Sequence, residues 1–440
     1  MSLTWTRVVA AAVLAATLGA RVVSAQDATP TPTPSAPAIN PNLVNAAQTQ
    51  AATRQKLAVL GDAFTCTDAR FVSYRRSDAD PEVTDQWYVA SQLWADAFLL
   101  NRVTSPPIDN WTFDDARCYI DKGFIFLDRL WDYTNSGYFP QSNPVGTTVK
   151  TGPRFSDDNL VAGLALLETA RTTSDPLAQR RYIHAAQREA DFLETSGLWD
   201  DTFGGGFWWN TGKGDTEEGK PAQTNALASL FFARLYAATS DATYRDWSLK
   251  SLLWLDTVLW DPSRQLYRWS IGFADIPHRT GATIHNRYFN YDQGIAIEAQ
   301  LAAAMLDNDA NRVSRAQSIG RAMHAAFWSS AIGGYNLEAG VEQVYTSYAA
   351  WSSLGHLALY AQDGDSDWLT MARQNADALS SRLREADGGY AYRAYQCIDK
   401  TTTGCAAGLP TIVVDHTRDT SAEAWAQHLQ TALADSLKTS

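Results

Sequence analysis

The chain has 440 residues, with 36 lysines and arginines, 48 aspartates and glutamates, and a formal charge of −12. This acidic balance argues against binding to nucleic-acid phosphates, which requires a basic surface. Four cysteines are too few for a small disulfide scaffold, and seven scattered histidines argue against a multi-histidine metal site. The length is typical of two or three domains, or of one large repetitive domain.

The N-terminus has the pattern of a secretory signal peptide. Arg7 precedes an apolar run over residues 8–20, and small residues lead to a predicted cleavage site after Ala25. The run is too short to span a membrane. Threonine and proline then alternate within residues 26–41, which indicates an extended linker. We predict a secreted or cell-surface protein with a signal peptide (1–25), a linker (26–41) and one folded domain (42–440).

If the chain is exported, its four cysteines can form disulfides. Of the three possible pairings, we favour Cys66 with Cys118 and Cys397 with Cys405, the second closing a short loop. The alternative is four buried free thiols. The spacing of Cys397 and Cys405 is not that of a zinc site, so no metal site is predicted.

A helical pattern recurs along the body of the chain. Apolar residues at helical spacing precede short polar breaks that each end in an aspartate, and further helical segments follow. These aspartates are Asp175, Asp241, Asp309 and Asp365. A second series alternates with the breaks and places turn residues before aromatic residues, as in 204–209 and 388–392. The repeating unit therefore has about 55–70 residues and contains two helices.

Repeats of this kind bury their apolar faces only by stacking on one another. A long unit with elaborated loops at one end predicts a closed toroid, an all-α (α/α)6 barrel with short strand-like loops at its mouth. From Leu43 onward there is room for six hairpins. The aromatic loops would gather at one mouth, where a ligand would bind. An open solenoid is the alternative architecture.

Two consecutive carboxylates stand at the start of one predicted helix. Asp157 and Asp158 precede an apolar segment, with Ser156 as the predicted N-cap. Acidic residues are common at helix starts because they interact favourably with the helix dipole, so the pair has a purely structural explanation. The alternative is a glycosidase dyad, since both carboxyls could face one cleft at the short separation of a retaining enzyme. Two close carboxylates do not ionise together easily, so one would serve as the acid.

Further candidates combine polar side chains with aromatic ones. The 16 tryptophans and 18 tyrosines suit stacking on sugar rings, although large helical cores also use tryptophan. Trp208 and Trp209 are consecutive, and adjacent strand residues point to opposite faces, so at most one of these two indoles should face a cleft. Trp269 is a further loop candidate, whereas Trp94 and Trp254 are expected in the core. The polar candidates, such as Thr224 and Asn225, stand at predicted helix starts and could equally be capping residues. The predicted substrate-binding residues are Trp208, Trp209, Thr224, Asn225, Tyr291, Asp292 and Gln293.

Four segments, in this order, resemble glycoside hydrolase family 76, the endo-α-1,6-mannanases and their fungal cell-wall relatives. The segments are Ser156-Asp157-Asp158, Gly204-Gly205-Gly206-Phe207-Trp208-Trp209, Lys220-Pro221-Ala222-Gln223-Thr224-Asn225 and Tyr291-Asp292-Gln293-Gly294. The resemblance spans about residues 87–387. It implies an (α/α)6 barrel and retaining hydrolysis of α-1,6-linked mannose backbones, with Asp157 as the nucleophile and Asp158 as the acid/base.

The sequence departs from the family pattern in two places, and other activities stay open. Asn159 and the residues after it stand where the family commonly has aromatics. Asp292 stands where asparagine is usual, so it could compete as a third carboxylate. The alternatives are a transglycosidase using the same dyad, a non-catalytic glycan-binding protein, and a sugar epimerase or unsaturated uronyl hydrolase. We expect an oligosaccharide or polysaccharide substrate, no cofactor, no nucleic acid, no transmembrane segment and a monomer.

Overall fold

The computed structural model describes residues 77, 79–80, 83–102, 113–142, 152–397 and 411–437. The predicted signal peptide and linker lie outside these residues. The described helices are α1 (Gln86–Arg102), α2 (Phe113–Arg129), α3 (Ser156–Ala170), α4 (Pro176–Thr195), α5 (Ala222–Thr239), α6 (Ala242–Val258), α7 (Asn290–Asp307), α8 (Ala310–Phe327), α9 (Thr346–Asp363), α10 (Ser366–Arg382) and α11 (Thr420–Ser436).

In the described ranges, ten short strands lie in the loops and pair antiparallel throughout. The sheets have the orders β1-β2, β3-β6-β7, β4-β5 and β10-β9-β8. The strands are β1 (Thr84–Asp85), β2 (Gln141–Ser142), β3 (Lys220–Pro221), β4 (Trp260–Asp261), β5 (Leu266–Tyr267), β6 (Ser270–Gly272), β7 (Thr283–His285), β8 (Gln343–Tyr345), β9 (Arg393–Cys397) and β10 (Thr411–Asp415).

The six odd-numbered helices form a closed inner ring. Each packs against the next in chain order, and α11 packs against both α9 and α1. Each even-numbered helix packs outside the ring against the odd-numbered helix that precedes it. This closure confirms the predicted (α/α)6 barrel and excludes the open solenoid. Five outer helices lie in the described ranges, and the part of the predicted sixth hairpin that begins near Leu43 lies outside them.

Burial distinguishes the two layers. In α3 of the inner ring, fourteen of the fifteen residues are buried, whereas in the outer helix α4 only seven of twenty are. A helix that is apolar on nearly all sides has to be surrounded by others, and an amphipathic one covers a core. Close backbone approach adds a local constraint in the inner layer. A Cβ atom on Gly294 of α7 would lie 3.0 Å from Ser352 Cα of α9.

The polar breaks predicted from the sequence are the turns between inner and outer helices. Asp175, Asp241, Asp309 and Asp365 are the N-caps of α4, α6, α8 and α10. Each carboxylate accepts a hydrogen bond from the main-chain N–H two residues later, at 2.9–3.0 Å. These four helix boundaries are confirmed, and the cause is the capping preference of aspartate.

The aromatic loops lie at the opposite end, before the inner helices. Side chains at the fourth position of the inner helices hold these loops by accepting main-chain N–H hydrogen bonds. The bonds join Asn159 to Tyr138 (2.7 Å), Asn225 to Phe207 (2.7 Å), Gln293 to Tyr267 (2.8 Å) and Glu423 to Tyr390 (2.8 Å). In α9 the fourth residue is Ala349, which has no polar side chain. Asn375 of α10 takes this role, since its side-chain oxygen accepts from the Tyr335 main-chain N–H and its amide donates to the Ala349 carbonyl.

Cys397 is fully buried at the end of β9 and is not a free thiol. Cys66, Cys405 and the side chain of Cys118 lie outside the described residues, so both pairings stay predictions. Of the described helices, none combines the length and apolar character that crossing a membrane requires.

A buried ion pair fastens the inner ring at the end away from the aromatic loops. Arg102 of α1 contacts the Glu168 carboxylate of α3 at 2.9 Å, and both side chains are at most 4% exposed. Burial alone would raise the pKa of Glu168, but the charges of Arg102 and Arg171 and a hydrogen bond from Asn101 hold it at about 2. Burial also lowers the pKa of Arg102, and this cost of burying its charge offsets part of the stabilisation that the ion pair provides.

We predict that Glu168→Gln lowers the free energy of unfolding by about 2–3 kcal/mol at pH 7, because it neutralises the nearer of the two described carboxylates that contact the buried Arg102, at 2.9 Å against 3.3 Å for Asp435. The pKa of Glu168 lies below its ordinary value of 4.5, so its contribution is present above that pH and disappears as the pH falls through about 2. Urea unfolding of both proteins between pH 7 and pH 2 measures the difference. Asp246→Asn, at an exposed site on α6, should change little at any pH.

Candidate active site

A cleft of about 410 Å³ opens at the mouth of the ring, where the inner helices begin. The second residue of every inner helix lines this cleft, because the six N-terminal ends converge there. These residues are Trp87, Asp157, Gln223, Tyr291, Ser347 and Ser421. Six residues far apart in the sequence therefore form one surface, and the carboxylate pair belongs to it.

The start of α3 differs from the sequence prediction in its capping. The residue before the helix is Phe155, in extended conformation and without a side-chain cap, and Ser156 is the first helical residue. The predicted N-cap role of Ser156 is therefore wrong. Its hydroxyl instead donates to the main-chain oxygen of Trp208 at 2.7 Å, and its N–H donates to that of Trp209. The neighbouring loop thus satisfies the helix start, which leaves both aspartates in the first turn free to face the cleft.

Asp157 is held as the more readily ionised carboxyl of the pair. Its Oδ2 atom accepts hydrogen bonds from the Trp209 indole N–H and the Gln223 amide, both at 2.9 Å. Oδ1 accepts the Asp158 N–H at 3.1 Å. Burial raises the pKa of Asp157, and these hydrogen bonds counteract the rise because they stabilise the anion.

Asp158 has the opposite environment. Its main-chain carbonyl accepts the Gln86 amide at 2.8 Å, which fixes the backbone, but its carboxylate accepts no hydrogen bond from the residues described. Burial raises its pKa well above the ordinary range, and the negative charges of Asp157 and Asp85 raise it further. The pair therefore holds one proton, on Asp158, at pH values where an exposed aspartate is ionised. Such a site can offer a carboxylate and a carboxylic acid side by side.

Aromatic rings form much of the remaining wall. Trp209 contacts Phe155 with ring centroids 4.8 Å apart, next to the carboxylate pair. Tyr291 contacts Tyr348 at 4.9 Å on the α7 and α9 side. Trp269 also lines the cleft. Flat apolar faces beside carboxylates are suited to sugar rings, which present C–H groups on their faces and hydroxyls at their edges.

Two adjacent tryptophans have different surroundings, in line with strand alternation. Trp209 lines the cleft, whereas Trp208 is 1% exposed and packs against Phe273. The Trp208 indole donates to Asp200 at 2.8 Å, and the Lys220 ammonium lies 4.7 Å from its ring centroid. Trp208 therefore belongs to the core of the loop and does not make the predicted contact with substrate.

Two further predicted substrate contacts are structural. Asn225 is fully buried and holds both the N–H and the carbonyl of Phe207, and Gln293 does the same for Tyr267. Neither lines the cleft in the described part of the chain. Their role is the loop attachment common to the fourth position of the inner helices.

Thr224 and Asp292 also lie behind the cleft wall, at the third position of α5 and α7. Both are fully buried, and their side-chain oxygens have no hydrogen-bond partner among the described residues. Burial raises the pKa of Asp292 well above its ordinary value. Asp292 is buried and is not among the described residues that line the cleft, which argues against a third catalytic carboxylate. Of the predicted residues, the structure brings together Asp157, Asp158, Trp209 and Tyr291.

Several cleft residues were not predicted from the sequence. Their common signal is position, since they occupy the second, third or sixth place of an inner helix or lie in the connection that precedes one. They include Asp85, Trp87, Tyr88, Glu218, Gln223, Tyr348, Trp351 and Tyr392. Among the residues described, no cluster of three His, Cys, Asp or Glu side chains is arranged to hold a metal ion.

Comparison with known proteins gives a match over most of the domain. A statistical description of glycosyl hydrolase family 76 matches residues 79–350. No curated protein matches the chain.

Solved structures resemble the chain in fold. A family 76 α-mannanase from Bacteroides thetaiotaomicron is 18% identical over 90% of this chain and 97% of its own, with a TM-score of 0.68. An inactive variant of an α-1,6-mannanase from a Salegentibacter species, with two consecutive aspartates replaced by asparagine and α-1,6-mannotriose bound, is 17% identical over 89% and 99%, with a TM-score of 0.62. A cellobiose 2-epimerase from Bacillus thermoamylovorans is 12% identical over 90% and 98%, with a TM-score of 0.66.

We predict that Trp209→Phe raises the pKa of Asp157, because it removes a hydrogen bond that favours the anion and keeps an aromatic ring in place. Titration of the aspartate carboxyl carbons by NMR measures the change.

Trp208→Phe is the matched control, since its indole donates to Asp200 and not to Asp157. An unchanged Asp157 titration in Trp209→Phe, or an equal change in Trp208→Phe, would contradict the assigned role of the Trp209 hydrogen bond.

Proposed function

Because the chain belongs to glycosyl hydrolase family 76 and is a glycoside hydrolase, we propose that it hydrolyses α-1,6-linked mannose polysaccharide with retention of configuration. The observation that carries this proposal is the unequal environment of the carboxylate pair. Three hydrogen bonds stabilise the Asp157 anion, while burial and two negative charges keep the proton on Asp158. A retaining glycosidase needs this combination of a nucleophile and an acid.

In the first step, an Asp157 oxygen attacks the anomeric carbon and the bond from that carbon to the glycosidic oxygen breaks. Asp158 transfers its proton to the departing oxygen, so the leaving chain departs as a neutral alcohol. Asp157 is then esterified and loses its negative charge. The loss of that charge lowers the pKa of Asp158, which is left as the carboxylate.

In the second step, the Asp158 carboxylate removes a proton from water, and the water oxygen attacks the anomeric carbon. The bond to Asp157 breaks and returns the carboxylate to its hydrogen bonds with Trp209 and Gln223. Asp158 is protonated again, so the cycle closes without a cofactor. Two displacements at the same carbon give net retention.

Two comparisons bear on the choice of activity. The inactive Salegentibacter variant lacks two consecutive aspartates and binds α-1,6-mannotriose, which supports a catalytic pair and a mannose substrate by analogy. The likeness to a cellobiose 2-epimerase is a likeness of fold alone, at 12% identity. The described residues that line the cleft include the Asp157–Asp158 pair, which favours the carboxylate chemistry of a glycosidase.

We also propose that the enzyme is secreted or displayed at the cell surface. The support is the N-terminal pattern of a basic residue, an apolar run and a cleavage site, followed by the threonine–proline linker. A polysaccharide substrate outside the cell is consistent with this location. Detection of the chain in culture medium, with an N-terminus just after Ala25, would test it.

We predict that Asp157→Asn and Asp158→Asn each reduce release of reducing ends from α-1,6-mannan by roughly a thousandfold or more, because each removes one half of the mechanism. Circular dichroism should show that both variants remain folded. With an aryl mannoside whose phenol is a good leaving group, Asp158→Asn should still form the covalent intermediate, since the phenolate needs no proton. Added azide should then restore turnover in this variant alone.

Asp292→Asn is the isosteric control, because it makes the same substitution at a buried carboxyl that is not among the described cleft-lining residues. It should retain hydrolysis. Near-normal activity in Asp157→Asn or Asp158→Asn would refute the mechanism, and an inverted product in NMR would refute retention.

A further inference from the structure

We propose that Glu218 determines specificity by accepting hydrogen bonds from neighbouring hydroxyls of a neutral sugar and by repelling anionic glycans. The inference rests on the proposed glycosidase function and extends it to the class of glycan. Glu218 lies in the cleft wall with the carboxylate pair, but in a loop that precedes α5.

The backbone around Glu218 is fixed by close packing. Gly219 has φ +53°, and a Cβ atom there would lie 2.3 Å from the Ile271 main-chain oxygen of β6. The following residues, Lys220 and Pro221, pair with β6 as β3. Only glycine fits this conformation and this contact, so the segment lies flat against the strand. The position of Glu218 is therefore defined before any ligand arrives.

The same segment is tied to the carboxylate pair. The Trp209 N–H donates to the Gly219 carbonyl at 2.8 Å, and the Ser156 N–H donates to the Trp209 carbonyl at 2.7 Å. Ser156 is the residue before Asp157. Two hydrogen bonds thus connect the backbone beside Glu218 to the helix start that carries the site. A sugar bound by Glu218 would have a fixed position relative to the reacting carboxyls.

The Glu218 carboxylate has capacity for a ligand. It is half-buried in the cleft wall, and no described residue donates a hydrogen bond to it. The indoles of Trp209 and Trp269 line the same cleft. A carboxylate accepts two hydroxyl hydrogen bonds readily, and hydrogen bonds to a charged acceptor are stronger than neutral ones. Carboxylate and indole faces together match the edge and the face of a sugar ring.

The negative charge of the cleft is the reason why anionic glycans should be repelled. Its described lining residues include four carboxyl side chains, Asp85, Asp157, Asp158 and Glu218, and no lysine, arginine or histidine. Arg287 lies over the Trp269 ring, but Glu338 binds it through two contacts of 2.9 Å. A phosphate or uronate group in this cleft would meet negative charge, with no cationic side chain among the described lining residues to offset it.

Glu218→Gln tests the proposal, because it keeps the shape and removes the charge. The probes are α-1,6-mannotetraose and the same tetrasaccharide carrying one phosphate group. We expect wild-type enzyme to prefer the neutral probe. The variant should lose roughly tenfold in kcat/KM on the neutral probe, mainly through a higher KM. The ratio of kcat/KM for the neutral probe to kcat/KM for the phosphorylated probe should also fall by roughly tenfold.

Glu217→Gln is the matched control. It removes the same charge from the adjacent residue, which is exposed and does not line the cleft. Its preference between the two probes should equal that of the wild type. Added salt should weaken the wild-type preference more than that of Glu218→Gln, because screening acts on charge and the variant has one charge fewer in the cleft. A merely structural role of Glu218 would not move the preference in this way.

The outcomes separate this inference from the proposed function. If wild-type enzyme cleaves both probes equally, or if both variants keep the wild-type preference, Glu218 does not determine specificity while the glycosidase assignment stands. If wild-type enzyme cleaves neither probe, the proposed glycosidase function fails. Calorimetric measurement of binding of the two probes then tests the proposed role of Glu218. Binding to the Asp157→Asn protein should then favour the neutral probe only while Glu218 is present, and equal binding of both probes would overturn the inference.

Discussion

Closure of the inner helical ring is the constraint on which the site depends. Once α11 packs against α1, six helix starts converge on one mouth, and the side chain at the second position of each faces the same space. Neighbouring members of this set are about 55–75 residues apart in the sequence. An open stack of the same repeats would leave them along an edge. Ring closure therefore creates the cleft and determines which carboxylates are desolvated.

Position along the first turn of an inner helix assigns each polar side chain a task. The second residue faces the cleft, as in Asp157 and Gln223. The fourth faces the neighbouring loop and holds its backbone, as in Asn159, Asn225 and Gln293. Because a helix turns by about 100° per residue, the second and fourth residues of the first turn point about 200° apart. One short motif can therefore contain both a site residue and a structural one.

Burial alone does not divide the labour within the carboxylate pair, since it raises the pKa of both groups. The difference comes from hydrogen bonds that only the fold can supply. Trp209 and Gln223 reach Asp157 from a loop and from α5, whereas Asp158 has negative neighbours and no donor in the described part of the protein. The proton therefore remains on Asp158.

The sequence by itself determined the repeat, the helical pairs, the four breaks that end in an aspartate and the placement of Asp157 and Asp158 in a first turn. Hydrophobic periodicity and strand alternation are local effects, acting over a few residues, so they can be predicted without a structure, whereas the start of α3 depends on a distant loop and was predicted wrongly. Only the tertiary structure decided that Trp209 faces the cleft while Trp208 is in the core, that Asn225 and Gln293 hold loops, and that Glu218 belongs to the site. The reason is distance along the chain. Those assignments depend on contacts between segments tens of residues apart, which form only when the ring closes.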